Sequence, residues 1–447
     1  MTTRAATTTA TAPATPETRA AHPLRAEAVR GFAPLAGAAV LLMLGVLLAA
    51  SAKNWQGGWA ETAALTHDAL LIALPLAAAA GCWQGGRERR RRTEELWGTA
   101  VRAPLSRLLA SALPVALWVA VGYLVAVALA TLATWPYSVG DHPHLTRVPG
   151  DTAALMAAAL LGHLVGRAVP THLAAPLLGV VGYAGLGMAA RQNALDALDP
   201  AAFGVAGTRP VWWQPLAMAA WTLGLALALI LAYAARRRAT ALLPLAAALT
   251  AGALLVQGGS GLWRPDPLAH RQVCDTSTTP AVCVNARYAG MLPEVRAALA
   301  GITGKLHGVH GLPARWSDRG TDPRADEAPL PTLAPFGWSV VRGRLTHPDQ
   351  YAWEAVAALT GHGDCENQPA PVPLADEAVQ AYLAPNPSQS RFDALDAKGD
   401  AAARAHLRES LAARAKLAGM DERRRRTWLS GYFAARADCA PEGVPSL

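Results

Sequence analysis

Four of the five cysteines lie in the last third of the chain, and their thiol groups are the first candidates for chemistry. They are Cys274, Cys283, Cys365 and Cys439, and four cysteines allow three disulfide pairings. The short separation favours a bridge between Cys274 and Cys283, which leaves Cys365 to pair with Cys439. The second bridge closes a long loop, which the chain-entropy model values at about 4 kcal/mol of stabilisation. The remaining cysteine, Cys82, is expected to be a small core residue.

A zinc site is the alternative for the same cysteines. Neither pair has the C-x-x-C spacing of structural zinc sites, so disulfides are favoured and no metal is expected. The metallopeptidase motif H-E-x-x-H and the nucleophile motif G-x-S-x-G are both absent, so we expect no catalytic residues in this chain. The scattered histidines and acids of this region are predicted to be surface residues: His307, His310, His347, His362, Asp364 and Glu366.

Seven apolar segments precede this cysteine-containing region. A helix that crosses the hydrocarbon of a bilayer needs roughly 20 apolar residues. The predicted spans are 33–52, 64–83, 108–134, 152–169, 172–190, 211–234 and 239–257. The fourth and fifth are short and closely joined, and a re-entrant hairpin remains the alternative for that pair. With or without the pair, an odd number of spans places the two chain ends on opposite sides of a membrane.

The distribution of arginine predicts which side is which. The loops on the side of the N-terminus hold fifteen arginines, whereas the opposite loops hold four basic residues and six acids. Cytoplasmic loops carry the excess of basic residues, so the N-terminus is predicted to be cytoplasmic and residues 258–447 extracytoplasmic. Disulfides persist outside the cytoplasm, which agrees with the cysteine pattern.

The formal charge of +8 does not indicate nucleic-acid binding. Residues 258–447 contain 21 basic and 21 acidic residues, so the excess lies wholly in the apolar part, where it faces anionic lipid. Residues 1–30 are rich in Thr, Ala and Pro and are predicted to be a disordered cytoplasmic tail. A cleaved signal peptide is the alternative, because Ala50-Ser51-Ala52 resembles a cleavage site.

The loop between the second and third spans, residues 86–107, begins with a run of arginines. Thr93, Glu94 and Glu95 form a plausible helix start, because acids in the first turn are favoured by the helix dipole. Leu96 and Trp97 begin an apolar stripe at helical spacing, Arg102 lies at its end, and Pro104 terminates it. By itself this pattern is also consistent with a simple membrane anchor whose arginines fix the topology.

The same loop resembles the corresponding loop of the permease subunits of type 2 ABC exporters. Shared features are the arginine run, a Thr-Glu-Glu-Leu-like helix start and a Pro-x-Ser-Arg-x-x-Leu-Leu opening of the next span, here Pro104 to Leu109. The likeness covers about residues 25–235 and is to permeases of an actinobacterial-like type. It implies that Thr93, Glu94, Glu95, Leu96, Trp97 and Arg102 couple this chain to an ATPase subunit.

The resemblance also implies partners. No G-x-x-x-x-G-K-[ST] phosphate loop occurs in the chain, so ATP is expected on a separate ABC ATPase subunit and no cofactor on this one. A second copy or a related permease, and membrane lipids, are the other expected partners. The seventh span and the large external region depart from the common six-span form. Ionisable residues in or near the spans, His67, Asp68, His163 and His172, are expected to be solvated at span ends.

Residues 258–447 form the last predicted domain, which is long enough to bury its own core. Helices are predicted near 286–306, 349–360, 374–384, 390–418 and 420–437, with a Pro/Asp-rich loop at 313–335 and a short strand at 338–341. The expected fold class is therefore an all-α membrane bundle, residues 31–257, followed by a mainly α, disulfide-bonded extracytoplasmic domain. The expected function is the membrane subunit of an ABC exporter. A membrane-anchored receptor or assembly module is the alternative.

Overall fold

The structure is a computed structural model of the 447-residue chain. It describes residues 27–29, 31–91, 103–169, 171–189, 196–202, 207–319, 324, 326–335, 339–361, 371–436 and 443–447. Up to Gly258 this part of the chain is a helical bundle, and beyond it helices and short strands surround a second core.

Within the described residues, eight helices of ten or more residues build the bundle. They are α1 Ala33–Ala50, α2 Trp59–Asp68, α3 Leu70–Gly85, α4 Pro104–Thr134, α5 Val148–Ala168, α6 Ala174–Ala189, α7 Gln214–Ala234 and α8 Leu242–Gly258. In the part of the chain that the structure describes, six stretches are long and apolar enough to cross a membrane, with α2 and α3 counted together: Glu27–Ala50, Trp59–Gly85, Pro104–Tyr137, Val148–Ala168, Gln214–Ala234 and Arg238–Leu262. The chain is thus a helical protein of the multi-pass membrane type.

The fifth predicted span, 172–190, is the shorter apolar helix α6. At about 1.5 Å per residue its 16 residues extend roughly 24 Å, less than the roughly 30 Å of a bilayer core. The fourth, 152–169, is by contrast of full membrane length as α5.

The two ends of the bundle can be told apart by their contacts. One end, which we call the arginine end, contains the turn Arg87–Arg90 and the start of α1. Arg167, at the end of α5, binds Glu88 at this end. The opposite end of the bundle, which we call the tail end, contacts the region beyond Trp263. Because α5 finishes at the arginine end and α7 begins at the tail end, where Pro215 packs on Gly150, the chain returns along the bundle between them.

Helices α3 and α5 approach each other until their backbones touch. Gly81 and Gly85 on α3 face Gly162 and Gly166 on α5, and a Cβ atom added at any of these would lie 1.9 to 2.1 Å from a carbonyl oxygen of the other helix. Small residues four apart permit this close contact between membrane helices. The spacing fixes α5, which carries several polar side chains, tightly against α3.

Beyond the bundle the region from residue 263 to 447, here the C-terminal region, contains six helices of eight or more residues within the described ranges. They are α9 Leu292–Leu306, α10 Pro348–Thr360, α11 Pro371–Leu383, α12 Gln389–Asp396, α13 Ala401–Ala418 and α14 Glu422–Arg436. The helix predicted near 286–306 is present in its later part as α9, where Val295, Leu299, Ile302 and Leu306 are buried and Leu292 is half-buried.

Helices α12 and α13 occupy the stretch predicted as one helix over 390–418. The break follows Gly399, and the side chain of Asp400 accepts a hydrogen bond from the backbone N–H of Ala403 at 2.8 Å. An aspartate at this position caps the first free N–H groups of a new helix, so it starts α13 rather than continuing α12.

The strands are short. They are β1 Thr208–Pro210, β2 Trp263–Pro265, β3 Gln272–Asp275, β4 Ala281–Asn285, β5 Arg315–Ser317, β6 Glu327–Pro329, β7 Val340–Val341 and β8 Arg344–Leu345. β3 to β6 form a sheet in chain order, with β3 antiparallel to β4 and β4, β5 and β6 parallel. The prediction that residues 313–335 form a loop is wrong in part, because this segment contains β5 and β6. Strands of three residues are too short to show an alternating pattern.

Candidate functional site

A cavity of about 390 Å³ opens at the tail end of the bundle. Its walls come from the ends of α2, α5 and α7, from the turn at residues 196–202, and from the segment that leads into β2. The lining residues are His67, Arg147, Gly150, Asp151, Asp196, Ala197, Asp199, Pro200, Ala202, Gln214, Pro215, Met218, Gly259, Ser260, Leu262 and Trp263. Helices far apart in sequence therefore meet around one polar space.

A chain of hydrogen bonds crosses the inner wall of this cavity. The Nδ1 atom of His67 on α2 lies 3.0 Å from Oδ1 of Asp151 on α5, and its Nε2 atom lies 3.0 Å from the carbonyl oxygen of Ala202. Tyr123 on α4 donates from its hydroxyl to Oδ2 of Asp151 at 2.7 Å. All three side chains are buried. Three helices are thus connected through one carboxylate.

The hydrogen-bond partners of His67 determine how many protons the His67–Asp151 pair holds. A carbonyl oxygen only accepts, so Nε2 must carry a hydrogen to bond to Ala202. A second proton then lies between Nδ1 and Asp151, either as an imidazolium paired with a carboxylate or as a neutral pair. The arrangement can therefore hold a proton at the interface between α2 and α5.

Charged side chains with unmet hydrogen-bonding capacity face the same cavity. Nη1 of Arg147, Oδ1 of Asp196 and Oδ2 of Asp199 are buried and have no hydrogen-bond partner among the described residues. Burial lowers the pKa of the Arg147 guanidinium and raises the pKa of the Asp199 carboxyl. The guanidinium of Arg147 also lies 4.5 Å from the ring centroid of Trp263. The cavity can thus bind a polar or charged group.

A second polar group connects the bundle to the C-terminal region. Glu61 on α2 accepts hydrogen bonds from the Arg287 guanidinium at 2.8 Å and from the Tyr288 hydroxyl at 2.7 Å. The side chains of Glu61 and Arg287 are 2% and 7% exposed. Ion pairs buried this deeply are strongly destabilised when one partner is removed. Asp141 and its neighbours His142 and His144 lie beside this junction, with ligand-type atoms within 4.8 Å of one another.

The arginine end is held by ion pairs of its own. Arg87 binds Glu27 at 2.8 Å, and Arg167 binds Glu88 at 3.2 Å, so the start of the Arg-rich loop is fixed against the N-terminal helix and α5. The residues predicted to couple to an ATPase, Thr93, Glu94, Glu95, Leu96, Trp97 and Arg102, lie outside the described residues. Their role remains a prediction.

One predicted disulfide is present. Cys274 and Cys283 face each other on β3 and β4 and are joined, with their Cα atoms 4.0 Å apart. Cys365 and Cys439 lie outside the described residues, so that pairing remains a prediction. Cys82 is buried and free, as expected for a small core residue.

The expectation that the ionisable residues of the spans are solvated is wrong for two of them. His67 is buried between α2 and α5, and His163 on α5 is 1% exposed, with Nε2 3.1 Å from Oγ of Ser111. His172 is exposed. Helical packing rather than distance from the span end decides the burial, because both buried histidines face neighbouring helices.

The histidines of the C-terminal region behave as predicted where they are described. His307, His310 and His347 are exposed. His362, Asp364 and Glu366 lie outside the described residues.

Sequence reasoning missed Tyr123, Arg147, Asp151 and the pair Glu61 and Arg287. The two acids, Glu61 and Asp151, offered a usable signal, because each is a carboxylate near the start of a segment predicted to be a membrane span. An isolated carboxylate at such depth demands a partner. The partner Arg287 could not be found in this way, because it lies 226 residues further along the chain.

No protein-family model, no curated protein and no solved structure matches this chain.

Proposed function

We propose that the chain is the membrane-spanning subunit of an ABC transporter of the exporter type, driven by a separate ATPase subunit. The observation that carries the proposal is the sequence of the loop 86–107 together with its place on the bundle. The described residues that flank the undescribed part, Arg91 and Ala103, follow and precede helices at the arginine end. The segment with the permease-like sequence thus leaves from the end opposite the C-terminal region.

The orientation follows from charge. The arginine end would face the cytoplasm, where basic loops are retained and where an ATPase is available. The tail end, with the Cys274–Cys283 disulfide, would face the oxidising side. With this orientation, ATP hydrolysis and the polar cavity would lie on opposite sides of the membrane.

The cavity suggests how movement of the helices would act on a cargo. Closure of the ATPase pair on ATP would push on the loop 86–107 and thereby on α3 and α4, which flank it. Tyr123 on α4 is hydrogen-bonded to Asp151 on α5, so a shift between these helices changes the polar wall of the cavity. The chain would supply a changing binding surface and no covalent step.

The experiment is co-purification of the cognate ATPase with the wild-type chain and with the double variant Leu96→Ala/Trp97→Ala. Truncating two large interface side chains is expected to cost about 3–5 kcal/mol. This amounts to two or more decades in affinity. The matched control is Trp212→Ala/Leu216→Ala, an exposed Trp and Leu at the tail end of α7. Equal ATPase recovery from the wild-type chain and the loop variant would contradict the coupling role.

The lysines provide a sharp test of orientation. The chain has four, Lys53, Lys305, Lys398 and Lys416, and all are exposed at the tail end or in the C-terminal region. An impermeant amine reagent should therefore label every lysine in intact cells. Protection of all four until the cells are lysed would reverse the proposed orientation.

The second candidate is a membrane-anchored receptor, and the cavity itself favours it, because unpaired Arg147, Asp196 and Asp199 atoms suit a bound polar ligand. A receptor needs no ATPase. Absence of any ATPase that co-purifies with the wild-type chain, with a ligand bound at the tail end, would favour this candidate over transport.

A further inference from the structure

Four side chains with metal-ligand chemistry converge beside the junction between the bundle and the C-terminal region. Asp141, His142 and His144 lie on the loop between α4 and α5, and Asp266 follows β2. The side chains of Asp141, His144 and Asp266 are 4%, 9% and 0% exposed, while that of His142 is 56% exposed. The cluster is thus a buried group with one solvent-facing member.

The distances are close to those of a metal site. The Nε2 atom of His144 lies 3.2 Å from Oδ1 of Asp141 and 3.7 Å from Oδ2 of Asp266. Ligand atoms of a tetrahedral zinc ion, each about 2.0–2.1 Å from the metal, stand roughly 3.3 Å from one another. Little contraction is needed for the His144 nitrogen to share one ion with either carboxylate oxygen.

A cationic group already occupies the centre of this cluster. Nη2 of Arg209, on β1, lies 3.3 Å from Nε2 of His142, 3.2 Å from Nε2 of His144 and 3.0 Å from Oδ1 of Asp266. A guanidinium only donates, so the contact with His142 requires a bare nitrogen on that ring. Nε2 of His144 also lies within hydrogen-bond distance of the Asp141 carboxylate, and it would release any proton shared there when it binds a metal. The Arg209 side chain is 29% exposed and has a path to solvent.

The formal charges at the junction favour a divalent ion. Asp141, Asp266 and the adjacent Glu61 carry three negative charges, against which stand Arg287 and Arg209. One negative charge is left over when the histidines are neutral. If Arg209 turns out to solvent and a divalent cation replaces it, the cation and Arg287 balance the three carboxylates.

Asp141 is a buried acid of this cluster. Its Oδ2 atom lies 3.1 Å from Nε2 of His144 and 3.5 Å from Nε of Arg287, and the second distance is beyond a good hydrogen bond. A buried carboxylate is costly unless cationic or donor groups meet it, and a divalent ion would supply such a group.

We propose that Asp141, His142, His144 and Asp266 form a site for Zn²⁺ or a similar divalent transition metal, with Arg209 as the group displaced on binding. Imidazole nitrogen and carboxylate oxygen suit zinc, whereas calcium takes six to eight oxygen ligands. The ion would join the α4–α5 loop to the segment after β2, and so attach the C-terminal region to the bundle. The site is independent of the transport function.

The test uses the full chain in detergent, stripped with a chelator and titrated with Zn²⁺ alone by calorimetry. One ion per chain is expected. His144→Gln should weaken binding by at least about 100-fold and His142→Gln by at least about tenfold, since loss of even a supporting partner costs 10–100-fold. His142 is half exposed, so its variant should fold normally.

The variant Arg209→Gln distinguishes a metal site from a network of ion pairs without a metal. Removing a competing positive charge about 3 Å from the ligands should tighten Zn²⁺ binding by about tenfold. The control is His406→Gln, which alters another His–carboxylate pair, His406 with Glu377 at 3.1 Å, and should leave affinity unchanged.

Several results would overturn the site. These are no Zn²⁺ binding below about 100 μM, binding that His144→Gln and His142→Gln both leave unchanged, or equally tight binding of Ca²⁺. Weaker binding by Arg209→Gln would also overturn it, because it would make the arginine a supporting group instead of a competitor. Co²⁺ substitution with the absorption bands of a tetrahedral nitrogen–oxygen site would support it.

Discussion

The bundle and the C-terminal region fill their interiors in different ways. In the bundle the buried set is dominated by alanine, and helices α3 and α5 meet through glycines. In the C-terminal region the buried set contains Trp316, Tyr351 and Tyr432, which are fully or almost fully enclosed. The bundle therefore depends more on close backbone contact, and the C-terminal region more on large side chains.

Their surfaces differ in the opposite sense. Among the described residues, all but three of the large exposed hydrophobic side chains lie at or before Val256, and the three are Phe392, Leu395 and Leu411. A surface in lipid gains nothing from hiding apolar groups, so its helices must associate through close packing. A surface in water does gain, and large side chains move inward. The comparison indicates that the two regions fold in different solvents.

The largest expected effect comes from crowding the α3–α5 contact. Gly162→Leu would place side-chain atoms where the carbonyl oxygen of Ala78 already lies 1.9 Å from an added Cβ. Overpacking with side chains alone typically costs about 1–3 kcal/mol, and the cost is larger here because the backbones of two helices must separate. We therefore expect loss of a monodisperse peak in size-exclusion chromatography. Gly185→Leu on α6, where an added Cβ meets nothing within 4 Å, is the control and should behave as wild type.

The next effect tests the core of the C-terminal region. Trp316→Ala removes a fully buried indole and should lower the free energy of unfolding of this region by about 3–5 kcal/mol. Limited proteolysis should then cut the C-terminal region while the bundle stays protected. Trp212→Ala, at a tryptophan that is 81% exposed, should change neither. Simultaneous loss of bundle protection in the Trp316 variant would mean that the two regions do not fold separately.

A variant at the contact between Glu61 and Arg287 tests how strongly the C-terminal region is attached to the bundle. Arg287→Met leaves the Glu61 carboxylate buried without its cation and should cost about 3 kcal/mol. Faster proteolysis of the C-terminal region is the expected readout. The double variant Glu61→Gln/Arg287→Met should recover part of the loss, because no Glu61 carboxylate is then left buried without its cation. Additive effects in this cycle would show that the two side chains do not act as a pair.

The smallest effect concerns pH. Burial raises the pKa of the Asp318 carboxyl to about 6, above its ordinary value of 3.8. The folded state therefore binds more protons than the unfolded state between about pH 4 and 6, so stability falls as pH rises through this window. Relative to Asp318→Asn, the wild type should gain about 1–2 kcal/mol between pH 7 and 4, allowing for partial solvent exposure of the side chain. If thermal unfolding of the wild type and of Asp318→Asn depended on pH in the same way, the predicted role of Asp318 would be contradicted.

The sequence predicted most of the bundle because apolar length and helical spans are properties of single segments. Six of the predicted spans correspond to helices of membrane length, and α6 is the short exception. The Cys274–Cys283 bridge was also predictable, since the two residues are only nine apart. Features that depend on a local sequence pattern could therefore be predicted.

The polar sites could be predicted only in part because their members come from distant segments. His67 stood out as an ionisable residue in an apolar stretch, but nothing in the sequence joins it to Asp151, 84 residues later. Asp141, His142 and His144 form a compact D-H-P-H run, yet the fourth ligand of the proposed site, Asp266, follows four helices later. Such groups become visible only when packing brings them together.

Three of the contacts that hold the C-terminal region on the bundle come from different segments. Strand β2 pairs with β1, Arg287 binds Glu61, and the turn at Arg342 and Gly343 rests on the loop after α1, where Arg342 donates to Gln56 at 2.7 Å. Contacts at several separate points restrict how one body can slide or tilt on another. The C-terminal region thus acts as a brace across this end of the bundle. If α1 and α2 are to spread apart from the helices beside β1, at least one fastening must open first.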